Sequence, residues 1–185
     1  MVSTRFFRLT ALITGLLLSG CCANNVCNCN DAQQDVIKII FSQGPQGFTT
    51  AELDTLVLVR YPLRYDSLTT IPETVTLIRP GAQPTDTIFL NNSTPFAQVG
   101  TARLNQYRYQ IRYRSPIRPR ETKPATILII DQVTLKGSFD GNGCCTCYTN
   151  YDKQIAARQD STQSQRADTV YNLRPRPIFR VYKKQ

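Results

Sequence analysis

All seven cysteines of this 185-residue chain fall in two clusters. Cys21, Cys22, Cys27 and Cys29 precede the first strand-like run, and Cys144, Cys145 and Cys147 follow the last strong one. The long stretch between the clusters must therefore fold around an apolar core, with covalent bridges available only at its two ends. Pairing inside one cluster closes small strained rings. Pairing between clusters is natural if the first and last strands run antiparallel. A single such bridge closes a loop of about 115 residues, worth ~4–5 kcal/mol in the chain-entropy model.

What lies between the clusters reads as β-structure. Short apolar, β-branched runs recur at strand length: Asp35 to Ser42, Thr55 to Tyr61, Thr74 to Arg79 and Asp86 to Asn91. Gly44-Pro45, Gly47, Pro62, Pro72 and Pro80-Gly81 separate them as turn signals. Thr49-x-x-Glu52 has the form of a capping box for one helical turn. Tyr107 to Arg114 alternates most clearly, with Tyr107, Tyr109, Ile111 and Tyr113 on one face and Arg108, Gln110, Arg112 and Arg114 on the other. Ala125 to Ile130 is apolar on both faces, which predicts a central strand, and a bulge is expected at Asp131-Gln132. About seven short strands with regular turns predict an antiparallel, immunoglobulin-like β-sandwich, with a small β-barrel as the alternative. Asp152 to Arg166 is polar and low in complexity and reads as a linker, and Ile178 to Tyr182 as a last strand docking on an edge.

The amino end has a different layout. Arg5 and Arg8 precede a ten-residue apolar run, Leu9 to Leu18, which is about 15 Å long as a helix and too short to span a bilayer. Leu18-Ser19-Gly20-Cys21 follows and resembles the lipobox of bacterial lipoproteins. The resemblance covers only these first residues. It implies that the Cys21 thiol receives a diacylglycerol, that the chain is cut before Cys21, and that the new amine is acylated. Three acyl chains then hold the protein at a membrane without a span. The resulting organisation is a signal peptide (1–20), a lipidated tether (21–34), a β-sandwich domain (35–150) and a linker with a terminal strand or tail (151–185). Loss of Arg5 and Arg8 lowers the formal charge from +9 to +7. The absence of Asp directly after Cys21 implies, by the same resemblance, passage to the outer membrane. The absence of an acidic cluster there favours the periplasmic face.

With Cys21 acylated, six thiols remain: Cys22, Cys27, Cys29, Cys144, Cys145 and Cys147. An oxidising compartment favours disulfides among them. The alternative is a thiolate metal or redox site built from Cys27, Cys29, Cys145 and Cys147, although C-x-C is tighter than the usual spacing of structural zinc sites. A bridge at Cys22 or Cys27 would shorten the tether, which otherwise reaches at most ~45 Å from Cys21.

The chain contains no His, which removes Ser-His-Asp triads, Cys-His dyads, imidazole metal ligands and imidazole pH switches. No catalytic residue and no cofactor are read from the sequence. Glu52 and Asp54 would share a face as two solvated acids. From Arg103 to Lys123 there are seven cations and one acid, Glu121. Arg108, Arg112, Arg114, Arg118 and Arg120 form a candidate strip for anionic lipid or glycan. The plainer reading is an exposed strand face kept soluble by arginine. Nucleic acid is not expected, because Tyr and Arg point to opposite sides and the signal exports the chain. Asp-Ser/Thr followed by an aliphatic residue or Thr begins at Asp54, Asp66, Asp86, Asp160 and Asp168. The pattern resembles an O-glycosylation motif of secreted Bacteroidota proteins, and it is also how a strand begins after a turn.

Overall fold

The computed structural model describes Cys27, Cys29 and residues 31–64, 70–81, 86–113, 124–142, 145–159 and 168–183. The described residues form nine strands in chain order: β1 (Ile37–Phe41), β2 (Thr55–Pro62), β3 (Glu73–Ile78), β4 (Ile88–Leu90), β5 (Tyr107–Tyr113), β6 (Ala125–Asn142), β7 (Cys145–Gln159), β8 (Thr169–Asn172) and β9 (Ile178–Val181). They form a three-stranded sheet, β4-β1-β9, and a six-stranded sheet, β3-β2-β5-β6-β7-β8. By contacts the chain divides into two units. The larger comprises residues 35–136 and 150–185; the smaller contains Cys27, Cys29, the helical turn Asp31–Gln34 and residues 137–149.

In the larger unit the two sheets pack face to face as a sandwich, not a closed barrel. Its inner layer follows the predicted alternation. Tyr107, Tyr109 and Ile111 are buried while Arg108 is exposed. Ile37, Ile39 and Phe41 of β1, Leu56 and Leu58 of β2, Leu128 and Ile130 of β6, and Phe179 and Val181 of β9 complete the core. Each large aliphatic side chain buried this way contributes about 1.5–3 kcal/mol.

β9 docks on β1 as the apolar terminal run implied, but in parallel, with Phe179 beside Ile39. The other described pairings are antiparallel. One local expectation changes and one gains a neighbour. An irregularity in β6 falls at Ile127, because Leu128 faces Ile111 while Thr126 faces Arg112; across the expected position at Asp131-Gln132 the inward parity also shifts, since Leu128, Ile130 and Val133 all lie in the core. Residues 152–159 are the second half of β7 rather than a linker. Their polarity misleads because only Ile155 and Ala157 face the core, and both are fully buried. Outward Asp152 and Arg158 meet Lys136 and Asp131 on β6. Residues 160–166 of the expected linker lie outside the described residues.

Three of the Asp-Ser/Thr motifs sit at strand entrances. Thr55 opens β2, Thr169 opens β8 and Thr87 immediately precedes β4. The motifs at Asp66 and Asp160 lie outside the described residues.

Candidate functional site

The cysteine-bearing end is built inside the smaller unit. Cys27 is bonded to Cys145 and Cys29 to Cys147, with Cα separations of 5.4 and 5.3 Å. Each bridge spans 118 positions, so the Cys27–Cys29 segment runs in the same direction as β7. Alternate residues of an extended segment face one side, which lets C-x-C meet C-x-C twice. Cys145 and Cys147 open a further strand, β7, rather than a loop after the last strong run. The four sulfurs of the proposed thiolate site are joined in pairs and present no thiolate to Zn²⁺ or Cu⁺. Among the described residues, no group of three or more His, Cys, Asp or Glu could hold a metal ion. Cys21, with the lipobox, and Cys22 and Cys144 lie outside the described residues.

The basic strip is already engaged where it is described. The pairings Tyr109↔Ile130 and Ala157↔Thr169 place Arg108 opposite Asp131 and Arg158 opposite Asp168. Arg108 makes an ion pair with Asp131; Arg158 Nη1 donates to Asp131 Oδ2 at 2.7 Å and to Asp168 Oδ1 at 2.9 Å. β5, β6, β7 and the entrance to β8 thus contribute a row of alternating sign on the outward face. Partial burial and the neighbouring Asp131 raise the Asp168 pKa against the opposing pull of Arg158. Arg112 Nη2 donates to Tyr61 Oη at 3.0 Å and to Gln110 Oε1 at 2.5 Å. Arg114, Arg118 and Arg120 lie outside the described residues.

Free cations occur elsewhere, where sequence spacing gave no signal. A groove of about 780 Å³ is lined by β8, β9 and the segment joining them. Tyr171 and Phe179 meet edge to face along it, their centroids 4.7 Å apart. Exposed Arg176 and Arg180 also line it, and neither has an acidic partner among the described residues. The side chain of Gln159 guards the outer edge of β9, accepting from Tyr182 N at 2.9 Å and donating to Arg180 O at 3.5 Å.

The chain matches no protein-family model, no curated protein and no solved structure.

Two acidic residues singled out above have separate structural partners. Asp54 Oδ1 accepts from Gly81 N at 3.2 Å. Glu52 closes the capping box of the Thr50–Leu53 turn: Thr49 N donates to its Oε2 at 2.9 Å, and Thr49 Oγ1 accepts from Glu52 N at 3.3 Å. Lys183, just beyond β9, donates to both Glu52 oxygens at 2.8 and 2.9 Å. Burial acts to raise the Glu52 pKa, but the bonds from Lys183 and Thr49 outweigh it and the net shift is downward. A depressed folded pKa stabilises above the unfolded value and loses that contribution as pH falls through the folded one. Lys183→Ala is therefore expected to cost about 1.5–3 kcal/mol at neutral pH. The deficit should shrink on acidification below the ordinary glutamate range. Urea unfolding of both proteins at neutral and strongly acidic pH reads this directly; a deficit that does not vary with pH would exclude the Glu52 carboxylate as its source.

Proposed function

We propose that the protein is an exported lipoprotein of a Gram-negative envelope. It is anchored through acyl chains on Cys21 at the periplasmic face of the outer membrane and acts as a structural or binding module rather than an enzyme. The observation that most supports this is the pair of bridges, Cys27–Cys145 and Cys29–Cys147, made by the segment that follows the lipobox. Disulfides persist outside the reducing cytosol, which agrees with the export implied by residues 1–21. No helix among the described residues is long and apolar enough to cross a membrane, so an acyl anchor supplies the attachment in this reading. The rigid sandwich presents loops and edges to an envelope partner, and anionic lipid or glycan suits its positive charge.

Labelling with palmitate, followed by envelope fractionation and intact mass, tests the proposal. The wild-type chain is expected to carry label, to sediment with envelopes and to have lost residues 1–20. Cys21→Ser should lose the label and the cleavage together. Unchanged mass, label and fractionation in that variant would overturn the reading.

A further inference from the structure

The smaller unit carries an aromatic pair that core packing does not explain. Phe139, on β6, is 67% exposed, yet its ring lies 5.3 Å from that of Tyr148 on β7. Tyr148 lies over Gly137, where an added Cβ would meet the ring's Cζ at 2.5 Å, so glycine is what lets the ring approach. From Gly137 to Thr149 the only charged side chain is Asp140. An exposed Phe139 ring backed by a half-buried Tyr148, on a hairpin nearly free of charge, is well suited to the bilayer interface, where aromatic rings sit at headgroup level.

The sequence and the bridges together bound where this hairpin can be. Tyr148 directly follows Cys147, and Cys145 is bonded to Cys27. Only residues 22–26 separate Cys27 from Cys21, and a fully extended chain across that interval reaches at most ~21 Å. If Cys21 is acylated, the bridge brings the hairpin within that distance of the lipid. An unbridged tether would have allowed about twice as much.

We propose that Phe139 and Tyr148 seat in the headgroup layer of the membrane that carries the Cys21 acyl chains. This makes the hairpin a second, non-covalent membrane contact held in place by the two disulfides. The inference rests on the lipoprotein reading.

The chain has no Trp, so Phe139→Trp introduces a single indole at a position open enough to accept it. The experiment uses the acylated variant, its acylation verified by intact mass, in phosphatidylethanolamine–phosphatidylglycerol vesicles with and without lipid brominated near the headgroup. The expected result is blue-shifted emission that brominated lipid quenches several-fold more strongly than in a second variant. That variant adds a Gly/Ser linker of about twelve residues between Asn25 and Val26, which lengthens the tether without touching the hairpin. An indole emitting as in water, or blue-shifted but unquenched because protein covers it, would overturn the proposal and leave acylation standing. Equal quenching in both proteins would overturn the role given to the short tether. A mass lacking acyl chains would instead fail the lipoprotein reading itself.

Discussion

Arg60→Ala is expected to destabilise the larger unit by about 3 kcal/mol or more, a drop of roughly 6–12 °C in Tm for a domain of this size. Arg60 belongs to the inward face of β2 and is only 2% exposed. A buried guanidinium needs acceptors for its donors and partners for its flat faces. Here Nε and Nη2 donate to Glu73 Oε1 and Oε2 at 2.9 and 2.7 Å, and Nη2 also donates to Ala97 O at 2.7 Å. The Phe96 and Tyr107 rings lie 4.8 and 4.4 Å from its carbon. Tyr109, whose pKa is raised chiefly by burial, packs against both rings and donates to Leu104 O at 3.0 Å. Truncation leaves a cavity between rings and an unsatisfied carbonyl. Glu73 is 43% exposed and stays solvated, so little of the cost is charge left behind. The loss is therefore mainly one of packing and fork geometry, and Arg60→Lys should recover less than half of it despite keeping the charge. Glu73→Ala strands the buried cation and should cost a similar amount. The double variant should cost clearly less than the sum. Urea midpoints of the four proteins decide the matter, and an Arg60→Ala protein within experimental error of wild type would mean that the guanidinium is not buried there.

This node shows where sequence reading stops. Alternation in Tyr107–Tyr113 and the apolar runs of β1, β2 and β6 were enough to reach a sandwich, because a strand with one buried face writes its period into the chain. The capping box at Thr49 and the docking of Ile178–Val181 were legible for the same local reason. Arg60 was not, since its burial depends on Glu73 and Phe96 arriving from distant parts of the chain. The second half of β7 was missed because its outward polar residues outnumber the two that point inward. The basic segment shows the same limit. Spacing counts Arg108 as a free cation, while register sets it against Asp131. Partners of that kind become visible only once strands are aligned, and so do Arg176 and Arg180 along the groove, without an acidic partner among the described residues.

Removing both disulfides of the described residues, Cys27–Cys145 and Cys29–Cys147, is expected to have the largest effect on stability, and the effect should be strongly non-additive. Each bridge spans 118 positions, but they lie two residues apart at both ends. With Cys29–Cys147 in place, Cys27–Cys145 closes only a small additional ring. Chain entropy then assigns ~2 kcal/mol to losing either bridge alone and ~5 kcal/mol more to losing the second, because only then is the long loop released. The loop from Cys29 to Cys145 includes β1 to β6, so its release raises the entropy of most of the unfolded chain. Cys27→Ser/Cys145→Ser and Cys29→Ser/Cys147→Ser should thus each shift the urea midpoint modestly. The protein lacking all four should unfold far earlier, as should wild type under strong reductant. The same argument makes reductant nearly silent on a variant that also carries Cys22→Ser and Cys144→Ser, a control for unrelated effects of the reagent. Single-bridge losses that add up to the double loss would show that each bridge acts through its own native contacts. A quadruple variant as stable as wild type would show that the first cluster adds nothing to the folded chain beyond its attachment.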